Sequence, residues 1–377
     1  MDATSHAPNT ATPSVNDDLP ITGYDAIEFW VGNAKQAAHY YRTAFGFKLV
    51  GYAGPETGVR DRASYVLQQR AIRFVLTTGL TPDHEVVAHQ ALHGDGVRDV
   101  AFRVPDAELA FAMAVERGAT PFHEPEVRED EHGKVQIAAI RAYGDTIHSF
   151  VQRDDYSGVY LPGYQPVADD PLASPVGLSA IDHVVCNVEL GEMDTWARFY
   201  ERIMGFSQLR HFDDEAISTE YTALMSKVLW DGHGRIKLPI NEPAEGKKKS
   251  QIDEYLEYYR SPGVQHLALS TGDIVRTVRD LRAKGVSFLT VPPEYYVDAK
   301  ARVGEVDESW DDLQELGILV DRDDEGYLLQ IFTEPVEDRP TVFYEIIERH
   351  GAKGFGVGNF KALFEAIERA QDLRGNL

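Results

Sequence analysis

Cysteine is almost absent from this chain, since Cys186 is its single copy. No intrachain disulfide can therefore form, which suits a reducing cytoplasm. The sequence also lacks any run that approaches the roughly 18 apolar residues of a membrane span. Its N-terminus lacks the basic and then apolar order of a secretory signal peptide. We therefore expect a cytoplasmic protein that is not inserted in a membrane.

Positive charge is also in short supply. The chain has 37 Lys and Arg residues against 61 Asp and Glu residues, and its formal net charge is -24 at pH 7. Such an excess repels polyanions, so nucleic acid and anionic membrane surfaces are poor candidates for partners. It does not exclude a small anionic substrate, because a bound metal ion can dominate the local field.

Length and composition predict two domains. A chain of 377 residues is long enough for two separate cores. Residues 1–19 are rich in Ala, Thr, Pro, Ser, Asn and Asp, which indicates a disordered leader. Residues 156–175 contain four prolines and an acidic pair, a density that breaks periodic structure. We therefore predict an N-terminal domain over 20–155, a linker over 156–175 and a C-terminal domain over 176–377.

Internal similarity predicts how each domain folds. The segment from Tyr24 resembles the segment from Ser179, and the segment from Gly96 resembles the segment from Gly263. Each reads as a short apolar strand, an amphipathic helix and a turn into further strands. The prediction is an α+β fold with two βαβββ units per half. The units lie side by side in a curved, mostly antiparallel sheet with helices outside. The final segment, from Gly358, has an apolar stripe at Phe360, Leu363, Phe364 and Ile367 that predicts a last helix.

The two halves differ at three aligned positions. The alignment pairs residues of the first half with possible metal ligands of the second: Phe29 with His183, Asp99 with His266, and Ser149 with Glu345. Two imidazoles and one carboxylate form the facial triad of non-haem Fe(II) oxygenases, which leaves open positions for a 2-oxo acid and dioxygen. A lone strand histidine is more often a hydrogen-bonded core residue. Glu345 is more informative, because an unpaired carboxylate buried in VFYEII would cost several kcal/mol. The first half is predicted to bind no metal.

Six motifs carry a resemblance to a known family: IDHVVCNVELG, LPINEPAEGKKKSQIDEYLEYY, GVQHLAL, DEGYLLQIFT, RPTVFYEIIERHG and GFGVGNFKALFEAIE. With them the chain resembles the 4-hydroxyphenylpyruvate dioxygenases of the vicinal-oxygen-chelate superfamily, from about Ile21 to the C-terminus. The resemblance implies an enzyme of tyrosine breakdown that converts 4-hydroxyphenylpyruvate and O2 to homogentisate and CO2. It also implies one Fe(II) per chain, held by His183, His266 and Glu345, and a homodimer or homotetramer.

The resemblance assigns further residues to the same pocket. A polar group that orients the substrate comprises Ser226, Asn241, Gln251, Gln265 and Gln330. The residues that line the substrate comprise Val185, Pro239, Phe332, Phe343, Phe355, Asn359, Phe360 and Leu363. The last helix would be a lid that excludes water. Side chains alternate along a strand, so Gln265 should face away from His266 unless the strand is distorted, and Cys186 should face away from His183.

Three alternatives stay open at this point. Hydroxymandelate synthase has the same substrate and ligands but oxidises the benzylic carbon, and Asn241 with the rest of the polar group favours ring oxidation instead. An extradiol catechol dioxygenase has a similar triad but needs a further acid–base histidine near the metal, which no motif supplies. A metal-free binding protein of the same superfamily would have no need of all three ligands.

Overall fold

The structure is a computed structural model, and it describes residues 19–212, 223–244 and 246–376. The predicted leader lies outside these residues except for Leu19, which is fully buried in the core and is therefore packed structure rather than leader. In the described part of the chain, no helix is long and apolar enough to cross a membrane.

The first half builds a nine-stranded sheet. Its strands are β1 (Gly23–Trp30), β2 (Lys48–Ala53), β3 (Arg62–Gln69), β4 (Ile72–Gly79), β5 (Gly96–Arg103), β6 (Pro121–Asp130), β7 (Gly133–Arg141), β8 (Ile147–Gln152) and β9 (Gln165–Pro166). Their order is β6-β7-β8-β5-β1-β4-β3-β2-β9. The β1–β4 and β5–β8 pairs are parallel, and the other pairs are antiparallel. Since β9 lies within the predicted linker, that segment extends the first sheet instead of standing apart from it.

The second half builds an eight-stranded sheet of the same design. Its strands are β10 (Leu178–Asn187), β11 (Ser207–Phe212), β12 (Ala223–Trp230), β13 (Lys237–Ala244), β14 (Gly263–Thr271), β15 (Leu319–Arg322), β16 (Tyr327–Phe332) and β17 (Phe343–His350). Their order is β11-β12-β13-β10-β14-β17-β16-β15, with β10–β13 and β14–β17 parallel. The predicted α+β class and the two mostly antiparallel sheets are confirmed.

Helices cover the sheets. They are α1 (Ala34–Thr43), α2 (Glu85–His93), α3 (Ala107–Glu116), α4 (Met193–Phe199), α5 (Gln251–Tyr259), α6 (Ile274–Ala283), α7 (Glu294–Val303), α8 (Trp310–Leu316) and α9 (Phe360–Leu373). The side chains of Asn33, Asp106 and Asp273 accept hydrogen bonds from backbone N–H groups three residues on and so begin α1, α3 and α6. The two halves also share one core. Tyr344 of β17 donates a 2.7 Å hydrogen bond to the hydroxyl of Tyr41 on α1.

Strand register corrects one part of the predicted repeat. Asp25 is the extra residue of a bulge in β1 against β5, and Asp182 is the extra residue of the matching bulge in β10 against β14. The residue after each bulge is Ala26 in the first half and His183 in the second. Ala26 is therefore the counterpart of His183, and the predicted counterpart, Phe29, was wrong.

The other two predicted counterparts agree with the register. Asp99 pairs with the first residue of β8, just as His266 pairs with the first residue of β17. Counting two residues on from those first residues leads to Ser149 in β8 and to Glu345 in β17. The first half thus carries Ala, Asp and Ser at the three positions of interest.

A buried ion pair is preserved in both halves. Asp25 accepts hydrogen bonds from Arg153 Nε at 2.7 Å and Nη2 at 2.6 Å. Asp182 accepts them from Arg349 Nε at 2.8 Å and Nη2 at 2.9 Å. Each ion pair crosses one intervening strand. Asp25 of β1 reaches over β5 to Arg153, which follows β8, and Asp182 of β10 reaches over β14 to Arg349 of β17. Both carboxylates lie in the bulges described above, so the bulge and the ion pair form one structural unit.

We expect Arg153→Leu to destabilise the protein by about 3 kcal/mol, the lower end of the cost of breaking a buried ion pair. The side chains of Arg153 and Asp25 are only 11% and 0% exposed, and Arg73, at 3.5 Å, would compensate part of the remaining charge. Urea unfolding of the full chain measures the change.

The matched control is Lys134→Met. Lys134 pairs with Glu129 at 3.4 Å, but both side chains are 61% exposed. Its loss should change the free energy of unfolding by less than about 0.5 kcal/mol. Equal small effects for the two variants would show that the Asp25–Arg153 pair does not hold the sheet together.

Candidate metal centre

Three neighbouring strands bring the predicted ligands together. His183 lies on β10, His266 on β14 and Glu345 on β17, with β14 hydrogen-bonded between the other two strands. Glu345 Oε2 lies 3.1 Å from His183 Nε2 and 3.5 Å from His266 Nε2. One donor atom from each residue lies within 4.8 Å of the others, and all three residues are buried. A single ion can bridge atoms at this spacing.

A strand bulge places a hydrogen-bond acceptor beside each histidine. Asp182 is the extra residue before His183, and Gln265 is the extra residue before His266. The Nδ1 atom of His183 lies 2.7 Å from Asp182 Oδ1, and the Nδ1 atom of His266 lies 3.0 Å from Gln265 Oε1. These acceptors keep a proton on Nδ1 and leave the Nε2 lone pair facing Glu345. The second bulge is the distortion that turns Gln265 to the same side as His266.

The charges around Glu345 suit a bound cation. Burial alone would raise the pKa of the Glu345 carboxyl, but His183 and His266 lower it to about 2. Burial lowers the pKa of His183, yet the carboxylates of Glu345 and Asp182 outweigh burial and raise it. His183 therefore favours a second proton between the two carboxylates, and a divalent cation would take the place of that proton. Two imidazole nitrogens and one carboxylate oxygen fit non-haem Fe(II).

A second cluster, of Glu308, Glu348 and His350, also has the composition of a metal site. His350 Nε2 lies 3.0 Å from Glu308 and 3.2 Å from Glu348. The other oxygen of Glu308 accepts from Tyr327 Oη, and the other oxygen of Glu348 accepts from the Ile274 backbone N–H. These carboxylates are already satisfied by protein donors, so the cluster reads as a structural network.

A cavity of about 80 Å³ opens beside the triad. The predicted residues that line it, besides the three ligands, are Val185, Ser226, Pro239, Asn241, Gln251, Gln265, Gln330, Phe332, Phe343, Phe355, Phe360 and Leu363. Asn359 does not line it, which corrects the prediction for that residue. Asn359 is fully buried behind Gln330, and its Nδ2 donates to Gln330 Oε1 at 3.2 Å.

Four further residues line the cavity without having been predicted: Leu224, Val228, Phe364 and Ile367. Leu224 and Val228 flank Ser226 at a spacing of two, so they share its strand face. Phe364 and Ile367 continue the apolar stripe of α9. These four residues could therefore have been predicted from the alternation of side chains along a strand and from helical spacing.

The polar residues of the cavity lie in neighbouring pairs. Ser226 and Asn241 are paired directly across β12 and β13. Gln251 opens α5, and its Oε1 accepts from Gln265 Nε2 at 3.5 Å. These side chains offer donors and acceptors to the polar end of a ligand.

Gln330 connects the triad to the segment before α9. Its Nε2 donates to Glu345 Oε1 at 3.4 Å, while its Oε1 accepts from Asn359. Gly356 has φ +74°, and a Cβ there would lie 1.8 Å from Gln330 Oε1. Glycine is therefore required at 356 so that the chain can pass close to Gln330.

Aromatic rings fix both imidazoles and make the rest of the cavity apolar. Phe343 stacks on the His266 ring with centroids 4.7 Å apart. Phe355 meets the His183 ring edge-on at 5.1 Å, and Phe332 meets the His266 ring edge-on at 6.0 Å. Imidazoles held in this way cannot rotate freely away from Glu345.

Both halves match models of related families. Residues 180–331 match the Glyoxalase/Bleomycin resistance protein/Dioxygenase superfamily. Residues 16–164 match the model described as Hydroxyphenylpyruvate dioxygenase, HPPD, N-terminal. Paired βαβββ units and a buried cluster of two histidines and one glutamate thus define a member of the superfamily that includes glyoxalases and dioxygenases.

Curated relatives identify the family more closely. The chain is 50% identical over 361 residues to 4-hydroxyphenylpyruvate dioxygenase of Danio rerio, covering 93% of this chain and 91% of the relative. It is 49% identical over 367 residues to that of Dictyostelium discoideum, covering 95% and 100%. It is 48% identical over 386 residues to that of Yarrowia lipolytica, covering 99% and 98%. The chain belongs to the 4-hydroxyphenylpyruvate dioxygenase family.

Solved structures agree with the fold. A mutant 4-hydroxymandelate synthase from Streptomyces coelicolor is 34% identical, with a TM-score of 0.83 over 93% of this chain and 99% of that chain. A Mn(II)-bound glyoxalase from Novosphingobium aromaticivorans is 13% identical, with a TM-score of 0.50 over 87% of this chain and 82% of that chain, which shows a shared fold alone.

We expect Glu345→Ala to abolish stoichiometric Fe(II) binding, because two imidazoles alone hold the ion poorly against water. The matched control is Ser149→Ala, at the repeat-equivalent position of the first half. It should leave the iron content unchanged, as should Asp99→Asn. Metal analysis after anaerobic loading measures both. Full iron content in Glu345→Ala, or its loss in either control, would place the metal elsewhere.

We expect Asp182→Asn to weaken Fe(II) binding about 10- to 100-fold, because the His183 ring loses its charged partner at Nδ1. Anaerobic titration with Fe(II) gives the Kd. The control is Asp25→Asn, which breaks the corresponding ion pair without touching a ligand. A similar loss of affinity in both variants would show a general structural effect instead of an effect on His183.

Proposed function

We propose that this chain converts 4-hydroxyphenylpyruvate and O2 to homogentisate and CO2, a step of tyrosine breakdown. The observation that carries the proposal is that the triad, the polar residues and the aromatic residues assigned from the sequence line one cavity. The relatives at 46–50% identity bear the name of this enzyme, whereas the synthase is 34% identical.

One Fe(II) per chain is proposed to bind His183, His266 and Glu345. When bound, it supplies the open coordination positions and the electrons that let a 2-oxo acid react with dioxygen. The carboxylates of Glu345 and of the substrate together balance its two positive charges. Asp182 and Gln265 hold the histidine protons at Nδ1, so the Nε2 atoms stay available as ligands.

The other residues of the cavity are proposed to orient the aromatic end of the substrate. Ser226, Asn241 and Gln251 would hold the phenol oxygen by hydrogen bonds, while Phe332 and Phe360 would lie against the ring. Held at both ends, the substrate presents its substituted ring carbon for oxidation. Fixing reacting atoms in this way can contribute several kcal/mol to lowering the barrier.

Helix α9 is proposed to act as a lid over the cavity. Phe360, Leu363, Phe364 and Ile367 of this helix line the cavity. An apolar cover excludes water and so protects reactive species from side reactions. None of the proposed ligands lies on α9, so movement of the helix would leave the triad intact.

Two alternatives predict different outcomes. A hydroxymandelate synthase would share the triad but yield 4-hydroxymandelate. A metal-free binding protein would need neither the converging Nε2 atoms nor the acceptors at both Nδ1 atoms, and these features favour an enzyme.

We further propose a cytoplasmic homodimer or homotetramer, with residues 20–155 as a metal-free domain and residues 176–377 as the catalytic domain.

Product analysis tests the proposal. Iron-loaded wild-type enzyme should give homogentisate as its main product from 4-hydroxyphenylpyruvate, measured by chromatography. Asn241→Ile should lose rate by roughly a hundredfold, since small misplacements are costly, and should release some benzylic product. Iron content and Tm equal to those of wild type would separate misorientation from misfolding. Wild-type enzyme that yields chiefly 4-hydroxymandelate would overturn the assignment and leave the metal site standing.

A further inference from the structure

The first sheet encloses a second cavity, of about 360 Å³. It lies at the repeat-equivalent position of the cavity beside the triad. Ala139 pairs with Ser149 as Phe332 pairs with Glu345, so a methyl group replaces a phenyl ring and leaves more space. Nothing in the proposed reaction uses this cavity.

Polar residues occupy matching positions in the two cavities. Ser64 and Thr77 pair across β3 and β4, as Ser226 and Asn241 pair across β12 and β13. The hydroxyl oxygens of Ser64 and Thr77 are 2.8 Å apart. The position of the proposed substrate-orienting pair has therefore stayed polar in the half that carries no triad.

Two carboxyl groups face the second cavity from adjacent strands. Glu28 and Asp99 are paired directly across β1 and β5. Glu28 accepts from Thr77 Oγ1 at 2.6 Å, and Asp99 accepts from the Ser149 backbone N–H at 3.0 Å. Burial raises the pKa of both carboxyls, that of Asp99 to about 7. Their hydrogen bonds come from Thr77, Trp30 and Ser149. Arg98 lies near enough to lower the pKa of both carboxyls but does not outweigh burial, and a cationic ligand would favour the ionised forms further.

Arg98 is the buried basic group of the same cavity. It is the extra residue of a bulge in β5 and the counterpart of Gln265. Its guanidinium lies 4.5 Å from the Trp30 ring centre and 4.9 Å from that of Phe122. The residue is 5% exposed. One terminal nitrogen of Arg98 donates to the Asp145 backbone oxygen, but among the described residues its Nε finds no hydrogen-bond acceptor. Leaving a buried donor without an acceptor is unfavourable, which points to an acceptor on a ligand.

The rim of the cavity adds a second basic group and aromatic surface. Arg62, whose side chain is 44% exposed, lies on β3. Tyr160 and Tyr164 come from the segment between β8 and β9 and also line the cavity. The lining thus combines anionic groups, cationic groups and ring surfaces. One small molecule would satisfy all of them if it carried an ammonium, a carboxylate and an aromatic ring.

We propose that this cavity binds an aromatic α-amino acid, with its ammonium at Glu28 and Asp99 and its carboxylate at Arg98 and Arg62. The ring would lie against Tyr160 and the neighbouring aromatic side chains. The site is separate from the triad and needs no metal, and the proposal does not depend on the reaction proposed above.

Isothermal titration of the iron-loaded full chain tests the ligand class. The probes are L-phenylalanine, phenyllactate, in which a hydroxyl replaces the ammonium, and phenethylamine, which lacks the carboxylate. L-Phenylalanine should bind once per chain, and each analogue should bind at least about tenfold more weakly, since each loses one charged contact. An analogue that binds as well as the amino acid, or no binding by any probe at millimolar concentration, would overturn the proposal.

Variants locate the site. Glu28→Gln should weaken L-phenylalanine binding at least about tenfold while iron content and homogentisate formation stay at wild-type levels. Arg62→Gln should weaken binding as well, and because this side chain is 44% exposed the substitution should leave the fold unchanged. Leu363→Ala, in the other cavity, is the control and should leave the affinity for the amino acid unchanged. Binding lost in Leu363→Ala but retained in Glu28→Gln and Arg62→Gln would assign the ligand to the triad cavity and end the proposal.

Discussion

One buried carboxylate, that of Asp182, ties together the strands that carry the candidate ligands. It accepts from the His183 ring at 2.7 Å, from Arg349 Nε at 2.8 Å and from Lys237 Nζ at 3.2 Å. Those partners lie on β10, β17 and β13, so the carboxylate spans the strand of His266 as well. Burial favours the neutral acid, but His183 and Arg349 hold the pKa of the Asp182 carboxyl well below its usual range. The stability that this ionised carboxylate contributes to the folded protein is therefore fully present above its unfolded pKa of about 4. It is lost as the pH falls from there through the folded pKa.

The two halves show which part of this arrangement is structural and which part is chemical. The bulge and the Asp–Arg pair occur in both, with Asp25 in the role of Asp182, so they belong to the fold. What differs is the residue that follows the bulge. Ala26 gives the carboxylate no imidazole to orient, and the ion pair then serves the sheet alone. The bulge and its Asp–Arg pair are therefore a structural unit of both halves, and the candidate metal site depends on the histidine that follows this unit in the second half.

The sequence was sufficient to predict the repeat, the fold class and the three converging residues, because these depend on apolar periodicity and on residue chemistry. It was insufficient wherever a strand departs from regular alternation. The position of Gln265 depends on a bulge, and alternation alone placed it on the wrong face. The error at Phe29 has the same origin. Apolar patterns align well at several offsets, and the bulged residues Asp25 and Asp182 show which residues of the two halves correspond. Asn359 lies in a turn whose close packing on Gln330 has no local signature.

Each cavity is covered by the chain that follows an equivalent strand, β8 in the first half and β17 in the second, but the two covers are held differently. The backbone oxygen of Tyr160 accepts a hydrogen bond from Arg153. The segment that covers the first cavity therefore depends on the same arginine that pairs with Asp25. Helix α9 is instead fastened at its far end, where Arg374 Nε donates to the buried carboxylate of Glu254 on α5 at 3.1 Å. Opening the first cover would disturb the sheet itself. Opening α9 requires the release of the Glu254 contacts, of the hydrogen bond from Arg369 to the Thr290 backbone oxygen and of an apolar face, and none of these involves Asp182 or the triad. The second cover can therefore be displaced without breaking the contacts that hold the triad together.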